Sequence, residues 1–163
     1  GKDFVAQNGY YHLGQSYLSL NKKQEALNAF KNASDMDFDA SLPKVNIVSQ
    51  DIGRVLLNLI NNAFYACGNS EYRKHHSDLK PTVTVSTKNP GSKIQITVSD
   101  NGPGIPEDIK EKIFQPFFTT KPTGQGTGLG LSISKEFIEA QNGNVGVESN
   151  LGLGSTFWFS LKV

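Results

Sequence analysis

Cysteine is almost missing: Cys67 is the only one in 163 residues. A disulfide needs a second thiol, so no covalent framework ties this chain together, and no paired thiol is available for a zinc site. A reducing compartment, the cytoplasm, is therefore expected. Charge is nearly missing in the balance, since 16 Lys and Arg against 15 Asp and Glu leave a formal net charge of +1. Such a chain projects no long-range field toward nucleic acid or an anionic membrane, and neither is expected as a partner. No apolar run approaches the roughly 20 residues of a membrane span, and no signal-like leader opens the chain. Its first residue is Gly1 rather than Met, as expected of a truncated or tagged piece. What is left has 37% hydrophobic residues, scattered charge, and length for one domain with a real core plus a small appendage.

Two familiar glycine signatures are missing as well. The stretch Phe117 to Ile133, "FFTTKPTGQGTGLGLSI", places Gly124, Gly126, Gly128 and Gly130 at alternate positions. A P-loop needs Lys and then Ser or Thr directly after its last Gly, and no Gly-Lys pair occurs here. A dinucleotide-binding turn needs G-x-G-x-x-G straight after a strand; counted from Gly126, Leu131 stands where the third glycine belongs, and a Pro- and Thr-rich loop precedes. What is present is a flexible loop whose backbone N–H groups can point at anions, running into a helix near Leu129 whose N-terminal end is positive. Thr119, Thr120, Lys121 and Thr127 add further donors.

Two unlike pieces meet near Asp37 to Pro43, dividing the chain into residues 1–36 and 37–163. Residues 7 to 36 read as helical throughout. Tyr10, Leu13, Gly14, Tyr17, Ala26, Phe30 and Ala33 resemble in their spacing a tetratricopeptide repeat, the helix-turn-helix unit of about 34 residues. Phe38 stands where the closing proline of that repeat belongs. Gly14 and the alanines let two helices approach, Tyr10, Tyr17 and Phe30 fill the groove, and "LNKK" makes the turn. Any amphipathic helical hairpin with small residues at its crossing would share this spacing. A single repeat cannot bury both faces, so a longer array, packing against the second piece, or a protein or dimer contact is expected to complete it.

From Lys44 the pattern predicts a strand (Val45 to Ser49), a long helix (Gln50 to Cys67), two strands (Thr82 to Thr87 and Lys93 to Ser99), and a short helix (Glu107 to Ile113). A helix (Leu129 to Gln141) and two closing strands (Val145 to Ser149 and Ser155 to Lys162) follow. The turn signal "KNPGS" makes the pair at 82 to 99 antiparallel. The expected class is α/β: a two-layer sandwich, its mixed and mostly antiparallel sheet covered by helices on one face, with the N-terminal helical hairpin appended.

On a helical wheel of about 100° per residue, Ile52, Val55, Leu56, Leu59, Ala63 and Ala66 form one apolar stripe, with Arg54, Asn58, Asn61, Asn62 and Tyr65 opposite. Asparagine is a mediocre helix former, so such a cluster is either a solvated face or a row of neutral oxygen ligands. Asn58 and Asn62, one turn apart, can address a single hard cation. In "VSDNGPGIPEDI" a strand delivers Asp100 to its end and turns through Gly102 and Gly104. That carboxylate can accept from an exocyclic amine, while glycines let a flat ring approach the backbone. An ordinary Asp-Asn-Gly turn is the plainer alternative. "GLGSTF", Gly152 to Phe157, is by itself only a hairpin signal.

Taken in order, the Asn-rich helix, Asp-x-Gly-x-Gly, paired Phe, Gly-x-Gly-x-Gly and Gly-x-Gly-Ser/Thr of residues 37 to 163 resemble the catalytic and ATP-binding domain of bacterial sensor histidine kinases. This is a branch of the superfamily that also holds gyrase, the chaperone ATPases and mismatch-repair proteins. "VLLNLINNAFYA", "DNGPGIP", "FQPFFTTK" and "GTGLGLSI" are similar to its N, first glycine, F and second glycine boxes. The resemblance implies a Bergerat-type ATP-binding fold, with ATP and Mg²⁺ as ligands. Carried across by position, it implies that Asn62 holds Mg²⁺ between the phosphates, supported by Asn58, and that Asp100 takes the adenine amino group. Gly102 and Gly104 would shape the adenine pocket, and Phe117 and Phe118 would belong to a lid. Gly126, Thr127, Gly128, Leu129 and Gly130 would cradle the phosphates, Lys121 would neutralise the terminal one, and the Thr156 hydroxyl would back the adenine.

Two departures from that family stand out. Many members carry Lys where this chain has Tyr65, which moves a phosphate contact to Lys121 or Arg54. The water-splitting ATPases of the superfamily place a Glu where this chain has Asn58, so hydrolysis by that route is disfavoured. The resemblance also calls for a phosphoacceptor histidine on a dimeric helical hairpin. His12 lies in the repeat-like helix, and His75 and His76 lie in the polar stretch "GNSEYRKHHSDLKP", which reads as an exposed insertion and with Cys67 suits no familiar zinc spacing. The acceptor hairpin and a response regulator are therefore expected as partners outside this chain, which should bind ATP·Mg²⁺ without phosphorylating itself. The alternatives are an interaction module with a vestigial or regulatory nucleotide pocket, and a water-splitting ATPase.

Overall fold

The computed structural model describes residues 35–37, 39–76 and 78–163. The helical hairpin expected over residues 7–36 lies outside them up to residue 34, and with it the repeat resemblance. The last two residues of that expected helix are not helical. Asp35–Asp37 is a short strand, β1.

Helix α1, Ser49–Cys67, forms because an apolar residue returns every three or four positions. Ile52, Val55, Leu59, Ile60, Ala63, Phe64 and Cys67 are buried, with Val55 and Leu59 at 0% exposure. Leu56 and Ala66, placed on the apolar stripe by the wheel, are only partly buried. Asp51 in the first turn complements the positive helix end, and the Val48 N–H just before it donates to Gln141 Oε1 at 2.8 Å. A short helix, α2 (Ser70–His75), follows inside the stretch expected to be an exposed insertion. The Asn69 side chain caps it by accepting from the Tyr72 N–H at 3.0 Å, with Glu71 in its first turn and Arg73, Lys74 and His75 in its last.

Strands β2 (Val83–Lys88) and β3 (Lys93–Asp100) pair antiparallel across "KNPGS", as expected. After the one-turn helix α3 (Glu107–Lys110), turns continue to residue 114. Helix α4 (Gly130–Glu139) and the hairpin of β4 (Asn144–Asn150) and β5 (Gly154–Lys162) complete the chain. The described residues form a five-stranded sheet in the order β1-β2-β3-β5-β4, with β1 parallel to β2 and the other pairs antiparallel.

Residues 42–48 hold no strand, contrary to the expectation for Val45 to Ser49. The alternation of Val45 and Ile47 is used for packing, since both lie partly buried against the core. The outer edge of β2 is already paired with β1.

Alternate residues of the central strands face α1 and α4: Val83 and Val85, then Ile94, Ile96, Val98 and Asp100, then Ser155, Phe157, Phe159 and Leu161. This is the two-layer sandwich expected, with the core between one sheet face and two helices. The opposite face carries hydroxyl pairs such as Ser99 and Thr156, whose oxygens lie 2.9 Å apart. Among the described residues no helix is long and apolar enough to cross a membrane.

Candidate functional site

A cavity of about 930 Å³ opens between α1, the turn after β3 and the loop before α4. That is a usual size for a small-molecule site. Its two ends differ in chemistry.

At one end β3 delivers Asp100 opposite Ser155 of β5. The side chain turns to the helix-covered face and is 8% exposed. Its Oδ1 accepts from the Gly102 N–H at 2.9 Å. Burial pushes its pKa up to about 6, opposed by the N–H groups of Gly102 and Ser155, which favour the charged form. Among the described residues no cation is paired with it. A buried carboxylate with acceptor capacity to spare is costly, which marks it as a place where a ligand donor can bind. Beside it the Cys67 thiol donates weakly to the Thr82 carbonyl at 3.4 Å and to Asn101 Oδ1 at 3.5 Å. Burial first, and the Asp100 charge second, raise that thiol to about 11, so it stays neutral.

Remote segments knit this end together. Ser149 Oγ accepts from the Ile105 N–H at 2.8 Å and lies 2.9 Å from Ser155 Oγ. The Gly152 N–H donates to the Pro103 carbonyl at 2.7 Å, and the Tyr72 hydroxyl donates to the Gly152 carbonyl at 3.0 Å. Asn101 accepts from the Thr82 N–H at 2.8 Å and donates to the Lys80 carbonyl at 2.7 Å. Gly104 has φ +74°, and a Cβ there would run into the Asn150 carbonyl.

At the other end Asn62 Oδ1 accepts from Lys121 Nζ at 2.9 Å, and the same ammonium sits 4.3 Å from the centroid of the Tyr65 ring. Burial pulls the Lys121 pKa below the usual lysine value. Asn58 is turned aside: its Nδ2 donates to Ser134 Oγ at 3.1 Å, and that hydroxyl donates to the Gly130 carbonyl at 2.8 Å. It fastens α1 to α4 at the cavity wall. Arg54 is exposed and does not line the cavity.

The covering loop is rooted by Phe114, whose ring meets Phe157 edge-on at 6.5 Å. From residue 115 to residue 129 the chain is neither helix nor strand. Its two legs cross at Gly128, where φ is +67° and a Cβ would strike the Phe117 backbone.

Of the residues expected at a site, Asn58, Asn62, Asp100, Gly104, Phe118, Lys121, Gly126, Thr127, Gly128 and Gly130 do line this cavity. Gly102 sits behind Asp100 as its hydrogen-bond donor. Leu129 is the capping residue of α4. Phe117 points outward, 75% exposed at φ 66°, so Phe118 alone of the pair contributes a wall. Thr156 requires a correction: it faces the far side of the sheet, hydrogen-bonded to Ser99, and Ser155 stands beside Asp100 instead. The strand period of two puts neighbours on opposite faces, so the register opposite Asp100 is the signal that would have found Ser155. The apolar wall formed by Ile109, Ile113, Leu131 and Phe157 was also missed.

Residues 47–163 match the family described as "Histidine kinase-, DNA gyrase B-, and HSP90-like ATPase", and the chain belongs to that family. It carries the ATP-binding catalytic domain of sensor histidine kinases. It is 36% identical to the sensor protein FixL of Bradyrhizobium diazoefficiens, over 98% of this chain and 31% of that protein. It is 37% identical to the sensor histidine kinase ZraS of Escherichia coli, over 76% of this chain and 24% of that protein. The chain thus spans less than a third of the length of these curated relatives. Among solved structures, the nucleotide-free catalytic domain of the histidine kinase ThkA superposes with a TM-score of 0.62 at 31% identity, covering 96% of this chain and 92% of that one.

Proposed function

We propose that this chain binds ATP with Mg²⁺ in the cavity between Asp100 and Lys121 and presents the γ-phosphoryl group to a histidine on a separate helical hairpin, within a two-component signalling system. The observation that carries this reading is the opposition of two unlike charges at the ends of one cavity. A buried carboxylate without a cationic partner suits an aromatic amine, and a half-buried ammonium beside a neutral oxygen suits a polyphosphate.

The adenine amino group donates to Asp100, with the Ser155 hydroxyl beside it and Ile109, Ile113 and Phe157 against the ring faces. The phosphates meet the N–H groups of residues 126–130 and the start of α4. Lys121 neutralises the terminal phosphate. Asn62 fits a metal ion, since its Oδ1 is a neutral oxygen facing the cavity that already accepts a cation, the Lys121 ammonium. When bound, Mg²⁺ would supply neutralisation of the phosphate charge. Asn58 supports Asn62 by fixing the distance between α1 and α4. The acceptor imidazole nitrogen forms a P–N bond as the P–O bond to the β-phosphate breaks, and ADP leaves with that electron pair. Asp100 is the sole carboxylate among the described residues lining the cavity, and it lies at the adenine end, so no base is placed to activate water at the phosphates. Residues 1–36 are read as a repeat-like contact surface, to be tested by whether their removal changes oligomeric state.

Titration calorimetry with ATP and Mg²⁺ tests the core of this reading. Heat is expected from the wild type, strongly reduced heat from Asp100→Ala and Asn62→Ala, and labelled phosphate on an added histidine-bearing hairpin. Failure of any ATP analogue to bind at millimolar concentration overturns it.

A further inference from the structure

We propose that Tyr65 is a positioning residue of this site, whose ring face holds the Lys121 ammonium over the mouth of the phosphate end, next to the Asn62 amide. The inference rests on the nucleotide reading above and assigns a job to a residue that reading leaves idle. Tyr65 follows Asn62 by three residues, so both project from the same side of α1. It is 41% exposed, so core packing does not explain an aromatic ring there.

The lysine stands out by the partners it has while half-buried. Lys74, Lys110 and Lys135 pair with carboxylates, whereas Lys121 has for partners one amide oxygen at 2.9 Å and one ring face at 4.3 Å. Its stem is held as well as its head. The Lys121 N–H donates to Thr119 Oγ1 at 3.1 Å, and Gly126 lies so close that a Cβ there would come within 3.1 Å of Lys121 Cβ and 3.2 Å of its Cδ. A carboxylate at the position of Tyr65 would neutralise the ammonium and compete with phosphate for it. An aromatic face fixes its location and leaves its full charge and two of its three N–H donors available. The arrangement also makes Lys121 and a metal ion alternatives at the same Asn62 oxygen. With Asn62 engaged by a metal ion, the ring would still hold the ammonium at the phosphate end of the cavity.

Calorimetric titration of ATP·Mg²⁺ and of adenosine into wild type, Tyr65→Phe, Tyr65→Ala, Lys121→Met and the double variant Tyr65→Ala/Lys121→Met tests this. Tyr65→Ala is expected to weaken ATP by about threefold to thirtyfold, the reach of a cation–π contact, while adenosine binding is unchanged. Tyr65→Phe keeps most of the affinity because it keeps the ring. In the Lys121→Met background the Tyr65→Ala effect disappears. An equal loss for ATP and adenosine, or a Tyr65→Ala effect that survives without Lys121, means that Tyr65 is merely structural and overturns the proposal. Normal ATP affinity in Tyr65→Ala overturns it alone, whereas a wild type that binds no ATP overturns the nucleotide reading and this proposal with it.

Discussion

At the Asp100 end of the cavity, the turn after β3, the β4–β5 hairpin and α2 are locked to one another through Ser149, Ile105, Pro103, Gly152 and Tyr72. At the Lys121 end, residues 115–129 have no regular structure and are tied to α1 through an ammonium, an amide and a ring. The difference follows the chemistry each end is suited to. Recognition of a flat base by one carboxylate needs fixed geometry, because a hydrogen bond weakens steeply when misaligned. A polyanion must enter, be enclosed and leave, which suits a cover held by contacts that exchange readily.

Glycine substitution at each end gives the largest contrast. Gly104→Ala forces a Cβ into the Asn150 carbonyl at a positive φ, inside the cross-linked turn. Backbone strain and overpacking together are expected to cost about 2–5 kcal/mol, lowering the melting temperature by roughly 10 °C. Gly128→Ala meets the Phe117 backbone at a comparable φ, but in a stretch outside every helix and strand, with fewer cross-links around it. Its expected cost in stability is smaller, about 1–2 kcal/mol for the left-handed backbone, with the rest of the damage appearing as weaker ATP binding. Equal melting losses for the two variants would remove the distinction between a rigid and an adaptable end.

Asp100→Asn separates binding from stability at the rigid end. Loss of the charged acceptor is expected to weaken ATP by about tenfold to a hundredfold. Folding is expected to gain. The carboxyl has its pKa raised from 3.8 to about 6 by burial, so the folded chain holds that proton more tightly than the unfolded one. Stability is therefore lost as pH rises through the window between these values, by up to about 3 kcal/mol above it. Asn removes the charge and keeps an oxygen for the Gly102 and Ser155 N–H groups. Thermal melts should show Asp100→Asn more stable than wild type at pH 8 and nearly equal to it at pH 4. Adenosine, which has no phosphate to titrate, should bind the wild type about tenfold more weakly at pH 5 than at pH 7.

How much of this was legible in the sequence varies between the ends for a physical reason. From Val83 onward, alternating and helical periods were strong enough to place every strand and helix to within about two residues, apart from the one-turn helix α3. Asp100 and Asn62 both line the cavity, and they stood out in the sequence because a strand ends at Asp100 and because asparagines in a helix interior ask for a reason. The strand expected at Val45 to Ser49 failed because alternation reports a half-buried extended segment, whether or not an edge is free to pair with it. The actual edge strand, Asp35–Asp37, is short and acidic and carries no such signal. Helix α2 did carry one, Asn69 followed by Glu71, but a polar stretch was read as loop. The join of Tyr65 to Lys121 lies 56 positions away along the chain and depends on how the loop folds back, which no local period encodes.

At the adaptable end, Lys121→Met is expected to reduce ATP affinity by about tenfold or more, through loss of a charge-assisted phosphate contact, and to leave adenosine binding unaltered. Calorimetry with both ligands checks it. A parallel loss for adenosine would mean that Lys121 shapes the whole cavity, and the two ends would have to be treated as one mechanical unit.

The smallest expected effect distinguishes two adjacent hydroxyls. Ser155 lines the cavity beside Asp100 and touches Ser149 Oγ at 2.9 Å, while Thr156 faces the far side of the sheet and touches Ser99. Ser155→Ala removes a buried hydrogen bond next to the carboxylate, so ATP and adenosine should both weaken by about twofold to tenfold. Thr156→Val keeps the β-branched shape and breaks one cross-strand hydroxyl pair, which should cost at most about 1 kcal/mol of stability and leave both affinities unchanged. If instead Thr156→Val weakens nucleotide and Ser155→Ala does not, the ligand approaches Asp100 from the far face of the sheet. In that case the locked end of the cavity holds the fold together without contacting the base.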